Sequence, residues 1–390
     1  MTPRGRVLTG FLVAAVALFF VPALVEAADL PRFFVIFLFT AFFWIAQSSS
    51  WNVLTGFSGY FSFGQGAWYG IGVYAVAVLT GKHGWSFITA LPMAGLAALV
   101  AGLGLGLVVF RLRRLTGEIF ALTTLAIAFV LAALARLLPA IDGGTGVFMT
   151  GTPIPEFLGD FTTAMYRMTL VIMILTVLAA YLTYSSRLGW GLFSIRDDES
   201  VAGGLGVPVF RYKMTALGIN SFFAGLMGGV WSLQLGFVTV DDVFNIRVPL
   251  FVILMSVLGG LGHWMGPVVG AVIIFTLSDR LNSAGLTDVN QIIIGSLLVV
   301  LALAVKEGVY VRMRDRWVTT LVTFFGVMAI ATIFDLMGSL ISDFAVAMVV
   351  TVLVLMVPDR LRERVRGGGD GPDQQEGPPV GMETVAETGQ

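Results

Sequence analysis

Gly56-Phe57-Ser58-Gly59-Tyr60-Phe61-Ser62-Phe63-Gly64-Gln65-Gly66 lies between two long apolar runs, one near 33–50 and one near 60–80. A bilayer core takes about 20 apolar residues as helix, so each run is long enough to span it. Glycine permits tight turns and close backbone approach, and Gly59, Gly64 and Gly66 supply it here. Non-helical backbone at membrane depth survives only against protein or a water-filled cavity. Outward from this stretch, further apolar runs predict spans near 7–25, 86–110, 119–138, 168–184, 214–236, 290–305, 317–334 and 341–357. Two shorter pieces, 248–260 and 266–279, flank a second cluster formed by Gly259, Gly260, Gly262 and Gly266. The expected fold is all-α: a polytopic transmembrane helical bundle with glycine-broken helices and about 11–12 membrane segments. Interrupted segments in both halves of a chain point to a transport pathway. Close helix packing through small residues, as in Gly66-x-x-x-Gly70, is the competing use of the same glycines.

Composition excludes a soluble protein. Of 390 residues, 57% are hydrophobic and only 12% charged, with a mean hydropathy of +0.91. A soluble domain carries about 25% charged residues. The net charge of −1 excludes a basic nucleic-acid binder. There is no cysteine, and His83 and His263 are far apart in sequence, so neither a metal site nor a cofactor is expected. No G-x-x-x-x-G-K-[ST] phosphate loop occurs, so the chain does not bind ATP by that route. Alternating the spans from a cytoplasmic N-terminus gathers most Lys and Arg on one side, among them Arg4, Arg6, Arg111, Arg187, Arg196, Lys213, Arg312, Arg314 and Arg360. That bias sets topology and predicts both termini inside. Arg4, Arg6 and Val25-Glu26-Ala27 also resemble a signal peptide, but the length of Val7–Val25 favours an uncleaved helix.

No Asp, Glu, Lys or Arg falls near the middle of a predicted span, which disfavours proton-coupled transport and intramembrane catalysis. The adjacent Asp241 and Asp242 read as a solvated loop or partner contact rather than a catalytic dyad. The polar residues expected inside the membrane are neutral. Ser58, Ser62, Gln65, Thr123, Thr124, Asn220 and Gln234 are the candidate substrate-pathway residues, suited to a neutral or zwitterionic solute. Hydrogen bonding between helices is the competing role for each.

Between two spans, Ser185–Lys213 contains Arg196-Asp197-Asp198-Glu199-Ser200-Val201-Ala202-Gly203-Gly204-Leu205-Gly206-Val207-Pro208. Asp197 or Asp198 can cap a short helix with Glu199 in its first turn. Val201, Ala202 and Leu205 give it a small apolar face, and Gly206 and Pro208 end it. Such a helix standing off the membrane suits docking into a groove on another protein.

Gly59–Tyr74 resembles the third-span signature of LivM-type permeases, the inner-membrane subunits of branched-chain amino acid ABC importers, which have urea and amide relatives. Gly117–Ala128, Ser194–Val207 and Val257–Gly270 are similar in the same order, and Asp142–Gly146 resembles an external glycine-rich loop of that family. The resemblance covers residues about 35–310 and implies a transport subunit rather than an enzyme. It also implies a second homologous permease, cytoplasmic ABC ATPase subunits and an extracytoplasmic substrate-binding protein as partners, in a bacterial or archaeal inner membrane. By position, Arg196, Asp197, Asp198 and Glu199, with Val201 and Leu205, form the ATPase-coupling loop. Residues 1–310 are the expected permease domain, 311–358 two additional helices, and 359–390 a disordered cytoplasmic tail. An ion-coupled carrier or facilitative channel for a small neutral solute is the alternative.

Overall fold

The computed structural model describes residues 3–111, 117–149, 152–286 and 308–333, with residues 290, 292, 295–296, 347–348, 350–352 and 354–355. The expected spans near 290–305 and 341–357 lie mostly, and the tail from 359 wholly, outside the described residues. Among those described, seven stretches are long and apolar enough to cross a membrane: Gly5–Ala27, Phe33–Ser58, Phe87–Val109, Gly117–Leu137, Phe161–Tyr184, Val209–Leu235 and Val240–Gly259. The protein is a polytopic helical bundle.

The first apolar stretch is broken into α1 (Pro3–Phe19) and α2 (Val21–Ala27) at Phe20, just ahead of Pro22, and lies on the bundle's periphery. The axis of the bundle is α3 (Phe33–Ser58), 26 residues or about 39 Å long. From Ala41 to Ser58 it is buried almost throughout. Helix α4 (Gln65–Val76) runs into a π turn, Ala77–Lys82, and is followed by α5 (Phe87–Val109) and α6 (Gly117–Leu137). The third span therefore starts at Gln65 rather than at 60, because Gly59 adopts the left-handed conformation (φ +77°) that ends α3 and leaves Tyr60–Gly64 non-helical.

After α7 (Phe161–Tyr184) the expected single short helix is two. These are α8 (Arg187–Asp197), capped by Ser186, and α9 (Glu199–Gly204), capped by Asp198. Helix α8 precedes the expected short helix: Leu188, Leu192 and Ile195 recur at helical spacing and turn inward, while Gly189 and Gly191 weaken its intrinsic propensity. Tertiary contact with α3, α7 and α10 supports it. Helix α10 (Val209–Leu235) then crosses the bundle. At the opposite end, β1 (Val147–Phe148) pairs antiparallel with β2 (Phe237–Val238).

Next come α11 (Val240–Val243), α12 (Arg247–Gly259) and α13 (Gly266–Ser283). Trp44 stacks on Phe251 at 5.3 Å and Asn52 donates to the His263 carbonyl at 3.1 Å, so α12 runs parallel to α3. Phe275 meets Phe37 at 4.9 Å, so α13 returns the other way. The two short pieces are thus two limbs of one hairpin. Beyond them, α14 (Val309–Asp315) packs on the hairpin turn, where Tyr310 stacks on His263 at 4.5 Å, and leads to α15 (Trp317–Ile333).

The limbs approach as closely as backbone allows. A Cβ on Gly270 would lie 1.8 Å from the Met255 carbonyl oxygen, and one on Gly72 in α4 would lie 1.9 Å from the Gly225 carbonyl oxygen of α10. No rotamer relieves a clash with backbone, so the helices must separate. Gly72→Val and Gly270→Val are expected to lose at least about 1–3 kcal/mol, read as earlier loss of the monodisperse peak when the detergent-purified protein is heated. Gly104→Val, at a position where an added Cβ meets nothing within 4 Å, serves as the control and is expected to melt like the parent.

Candidate functional site

The break after α3 is held by side chains. Tyr60–Gly64 runs back beside the last turns of α3. Thr55 Oγ1 donates to the Tyr60 carbonyl (3.0 Å), and Trp51 Nε1 donates to the Ser62 carbonyl (2.7 Å). The Phe63 N–H donates to Thr124 Oγ1 of α6 (3.0 Å), and the Gly64 N–H to Ser62 Oγ (3.1 Å). Buried backbone groups must be paired somewhere. Here the partners are hydroxyl and indole groups in place of a helical ladder.

The segment delivers Gln65 to the middle of the bundle. Gln65 Nε2 donates to Gln47 Oε1 (2.6 Å) and lies 3.1 Å from Ser50 Oγ. Gln47 Nε2 reaches the Ala224 carbonyl of α10 at 3.5 Å. One turn earlier on α10, Asn220 is fully buried, and neither atom of its amide has a partner among the described residues. Gln65 Oε1, Ser49 Oγ and Trp68 Nε1 are likewise buried and unpartnered among them. Such orphaned groups are uncommon and mark a place whose polar contacts are incomplete in this conformation.

The candidate pathway residues divide accordingly. Ser58 and Ser62 serve local backbone, and Thr124 joins the Phe63 amide to its own helix. Thr123 returns its hydroxyl to the Ile119 carbonyl. Gln234 is exposed rather than buried, because it falls on the outer face of the last turn of α10. Gln65 and Asn220 remain in the central cluster. A cavity of about 780 Å³ between α4, α5 and α6 is apolar, and none of the candidate polar residues lines it.

At one end of the bundle the two breaks meet α8 and α9. Arg196 Nη1 donates to the Gly56 carbonyl of α3 at 2.8 Å, and a Cβ on Gly262 would stand 2.7 Å from that same nitrogen. Asp198 accepts from the Ser200 N–H (2.8 Å), the Val201 N–H (2.9 Å) and the Ser200 hydroxyl (2.7 Å). The hydroxyl first, then the Val201 amide, hold its carboxyl below the ordinary carboxylate range. Asp197 is exposed. Val201 and Leu205 are exposed too, at 55% and 81%, while Ala202 turns inward, so the apolar face divides between protein and open surface. Trp190 of α8 is also open, at 72%, and helps line a recess of about 500 Å³ with Phe193, Arg196, Leu261 and Gly262.

Lys213 went unrecognised by sequence. Counted in the sequence among the basic residues of the cytoplasmic loops, it is in fact buried in the second turn of α10, paired with Glu199 at 2.7 Å and donating to the Tyr60 hydroxyl at 3.0 Å. The signal for it was weak: a lysine one residue before an apolar run, facing an acid fourteen positions back. Asp241, by contrast, pairs with Arg136, and Asp242 accepts from Thr239, as befits an end loop. Among the described residues no cluster of metal-binding side chains occurs.

Residues 33–303 match the family described as the permease component of branched-chain amino acid transport systems. The high-affinity branched-chain amino acid transport system permease protein LivM of Salmonella typhimurium is 27% identical over 290 residues, covering 68% of this chain and 67% of that protein. LivM of Escherichia coli K12 is similar to the same extent. The ribose import permease protein RbsC of Escherichia coli K12 is 26% identical over 61% of this chain and 76% of its own length. No solved structure matches the chain.

Two titrations follow from the geometry. His263 Nδ1 accepts from the Met265 N–H, and burial first, then Arg314, lower its pKa from 6.5 to about 4. The unfolded chain therefore takes up this proton first. Stability contributed by neutral His263 is complete above the ordinary value and falls as pH drops from there towards 4. Thermal melts across that window are expected to lose this component in His263→Gln. The Asp198 cap has the sign of a depressed carboxylate, present above the ordinary range and lost on acidification through its lowered value. Asp198→Ala is expected to speed hydrogen exchange at the Ser200 and Val201 amides at neutral pH.

Proposed function

The chain belongs to the family of branched-chain amino acid transport permease components, and from this premise we propose that it is the membrane permease subunit of an ATP-driven ABC importer for branched-chain or other amino acids. Cytoplasmic ATPase subunits drive it, a second homologous permease completes the membrane unit, and an extracytoplasmic binding protein delivers the solute. Both termini then face the cytoplasm, and the α8–α9 end is the cytoplasmic one, in keeping with the Lys and Arg bias.

The observation that carries this reading is the α8–α9 unit. Its outer surface offers three exposed large apolar side chains, Trp190 on α8, Val201 on α9 and Leu205 at the end of α9. Its inner surface is fastened to the glycine break after α3. An element open on one side and anchored to a broken span on the other suits a moving partner. For a cycle of alternating access, that partner must bind the unit differently in two states, since otherwise no population shifts. Gln65 and Asn220 are the proposed solute contacts: central, neutral and incompletely paired. Amide groups of that kind suit a zwitterion or a small amide, and a ladder of charges is not required. The α14 and α15 helices, beyond the matched residues, are an addition to the permease core.

The test is co-expression with the ATPase, permease and binding-protein partners, followed by pull-down and uptake of labelled leucine and ribose into proteoliposomes. Leu205→Asp with Val201→Asp is expected to weaken ATPase association about thirtyfold, the scale of losing a buried apolar contact of about 2 kcal/mol, without lowering the yield of folded permease. Unaided leucine uptake by the isolated subunit would instead establish the carrier or channel reading.

A further inference from the structure

Lys213, Glu199 and Tyr60 come from three separate elements: the second turn of α10, the first turn of α9 and the first residue after the Gly59 turn. The Lys213 ammonium lies 2.7 Å from Glu199 Oε1 and 3.0 Å from the Tyr60 hydroxyl, and that hydroxyl in turn donates to Glu199 Oε2. The ammonium also faces the rings of Tyr60 at 4.4 Å and Phe110 at 5.0 Å. Only 5% of the lysine side chain is exposed. A cation so enclosed is tolerable only while its partners stay in place, because separating a buried pair leaves an uncompensated charge. A second grip lies on the other side of the same turn, where Arg196 holds the Gly56 carbonyl and its Cγ lies 3.1 Å from where a Cβ on Gly59 would stand. Helices α8 and α9 therefore hold the chain at Gly56 and at Tyr60, on either side of the left-handed hinge at Gly59.

We propose that Lys213 and Tyr60 are positioning residues that carry motion of α9 into the non-helical segment Tyr60–Gly64, and so to Gln65 in the central cluster. The proposal rests on the importer reading above. If α9 moves, Glu199 moves with it. The ion pair and the tyrosine hydroxyl then oblige Tyr60 to follow, with Gly59 absorbing the change in backbone angle. From Tyr60 to the Gly64 amide the hydrogen bonds of the segment are to side chains, which re-form one at a time more readily than a helical ladder.

The absence of cysteine from the chain makes the test direct. Phe61→Cys, in the partly exposed segment itself, is reacted with N-ethylmaleimide in the assembled complex with its ATPase and permease partners. Labelling is compared without nucleotide and with ATP plus orthovanadate. In the otherwise unsubstituted chain the two rates are expected to differ. In Lys213→Met and in Tyr60→Phe, co-purification and basal ATP hydrolysis are expected to persist while the nucleotide-dependent difference shrinks about tenfold, within the usual range of coupling between sites. Exchanging the charges, Lys213→Glu with Glu199→Lys, is expected to restore part of it. Should Lys213→Met fail to accumulate, Tyr60→Phe, which keeps the ring and removes only the hydroxyl, carries the test. A full nucleotide-dependent difference in Tyr60→Phe and Lys213→Met overturns the proposal while leaving the importer reading intact. Failure of the unsubstituted chain to bind any ATPase overturns both.

Discussion

Inside a bilayer a backbone amide without a partner costs several kcal/mol, and this chain nevertheless leaves the helical state at Gly59 and does not resume it until Gln65. Much else in the molecule answers that demand. Thr55 and Trp51 on α3, Thr124 on α6, and Ser62 within the segment each supply a hydrogen bond that a helix would have supplied. Trp51 and Thr55 are one turn apart and so face the same way, which is why the segment can lie along α3 as a nearly extended strand. Many serines and threonines in this bundle, often read as solute contacts, are therefore here because the backbone needs them.

Close packing follows from the same solvent. Lipid gives helices no hydrophobic reason to associate, so contact depends on van der Waals fit between small residues. The hairpin α12–α13 and the α4–α10 crossing use glycine for this, with carbonyl oxygens where any Cβ would stand. The glycines thus divide into two kinds. Gly59, Gly260 and Gly262 are needed for their positive φ, and Gly72 and Gly270 for their missing side chain. The second kind fixes how closely the helices pack, and the first fixes where the backbone turns.

Much of the architecture was legible in the sequence, because a membrane span announces itself by length and apolarity, and the runs at 33–50, 86–110 and 214–236 each became a helix. Gly59 as a break and a cap at Asp197 or Asp198 were also legible, since both depend on local chemistry, and the structure places the cap at Asp198. What failed was whatever depended on distant partners. Helix α8 has apolar residues at helical spacing, Leu188, Leu192 and Ile195, but two glycines weaken its propensity and α3, α7 and α10 receive its inner face. Gln234 resembles Asn220 in sequence context, yet helix rotation turns one outward and the other in. Lys213 counts in the sequence only as one basic residue of a cytoplasmic loop, because nothing nearby reveals that α9 folds over it.

The distribution of polarity in the described bundle has a physical logic of its own. Its centre holds only amides and hydroxyls, where a fixed charge would be expensive and would bind an oppositely charged group too tightly to release it. The charges lie towards the two ends; at the α8–α9 end Lys213 is paired with Glu199 and Arg196 holds a carbonyl, and at the other end Arg136 pairs with Asp241. Tyr60–Gly64, held largely by side-chain hydrogen bonds, lies between the charged groups at the α8–α9 end and the neutral, incompletely paired cluster at the centre. Stiffness is thus placed where a push would arrive, and adaptability where a solute would have to be held briefly and let go. The glycine at position 59 separates the two, and a bulkier residue there would face both a strained backbone and the Arg196 side chain.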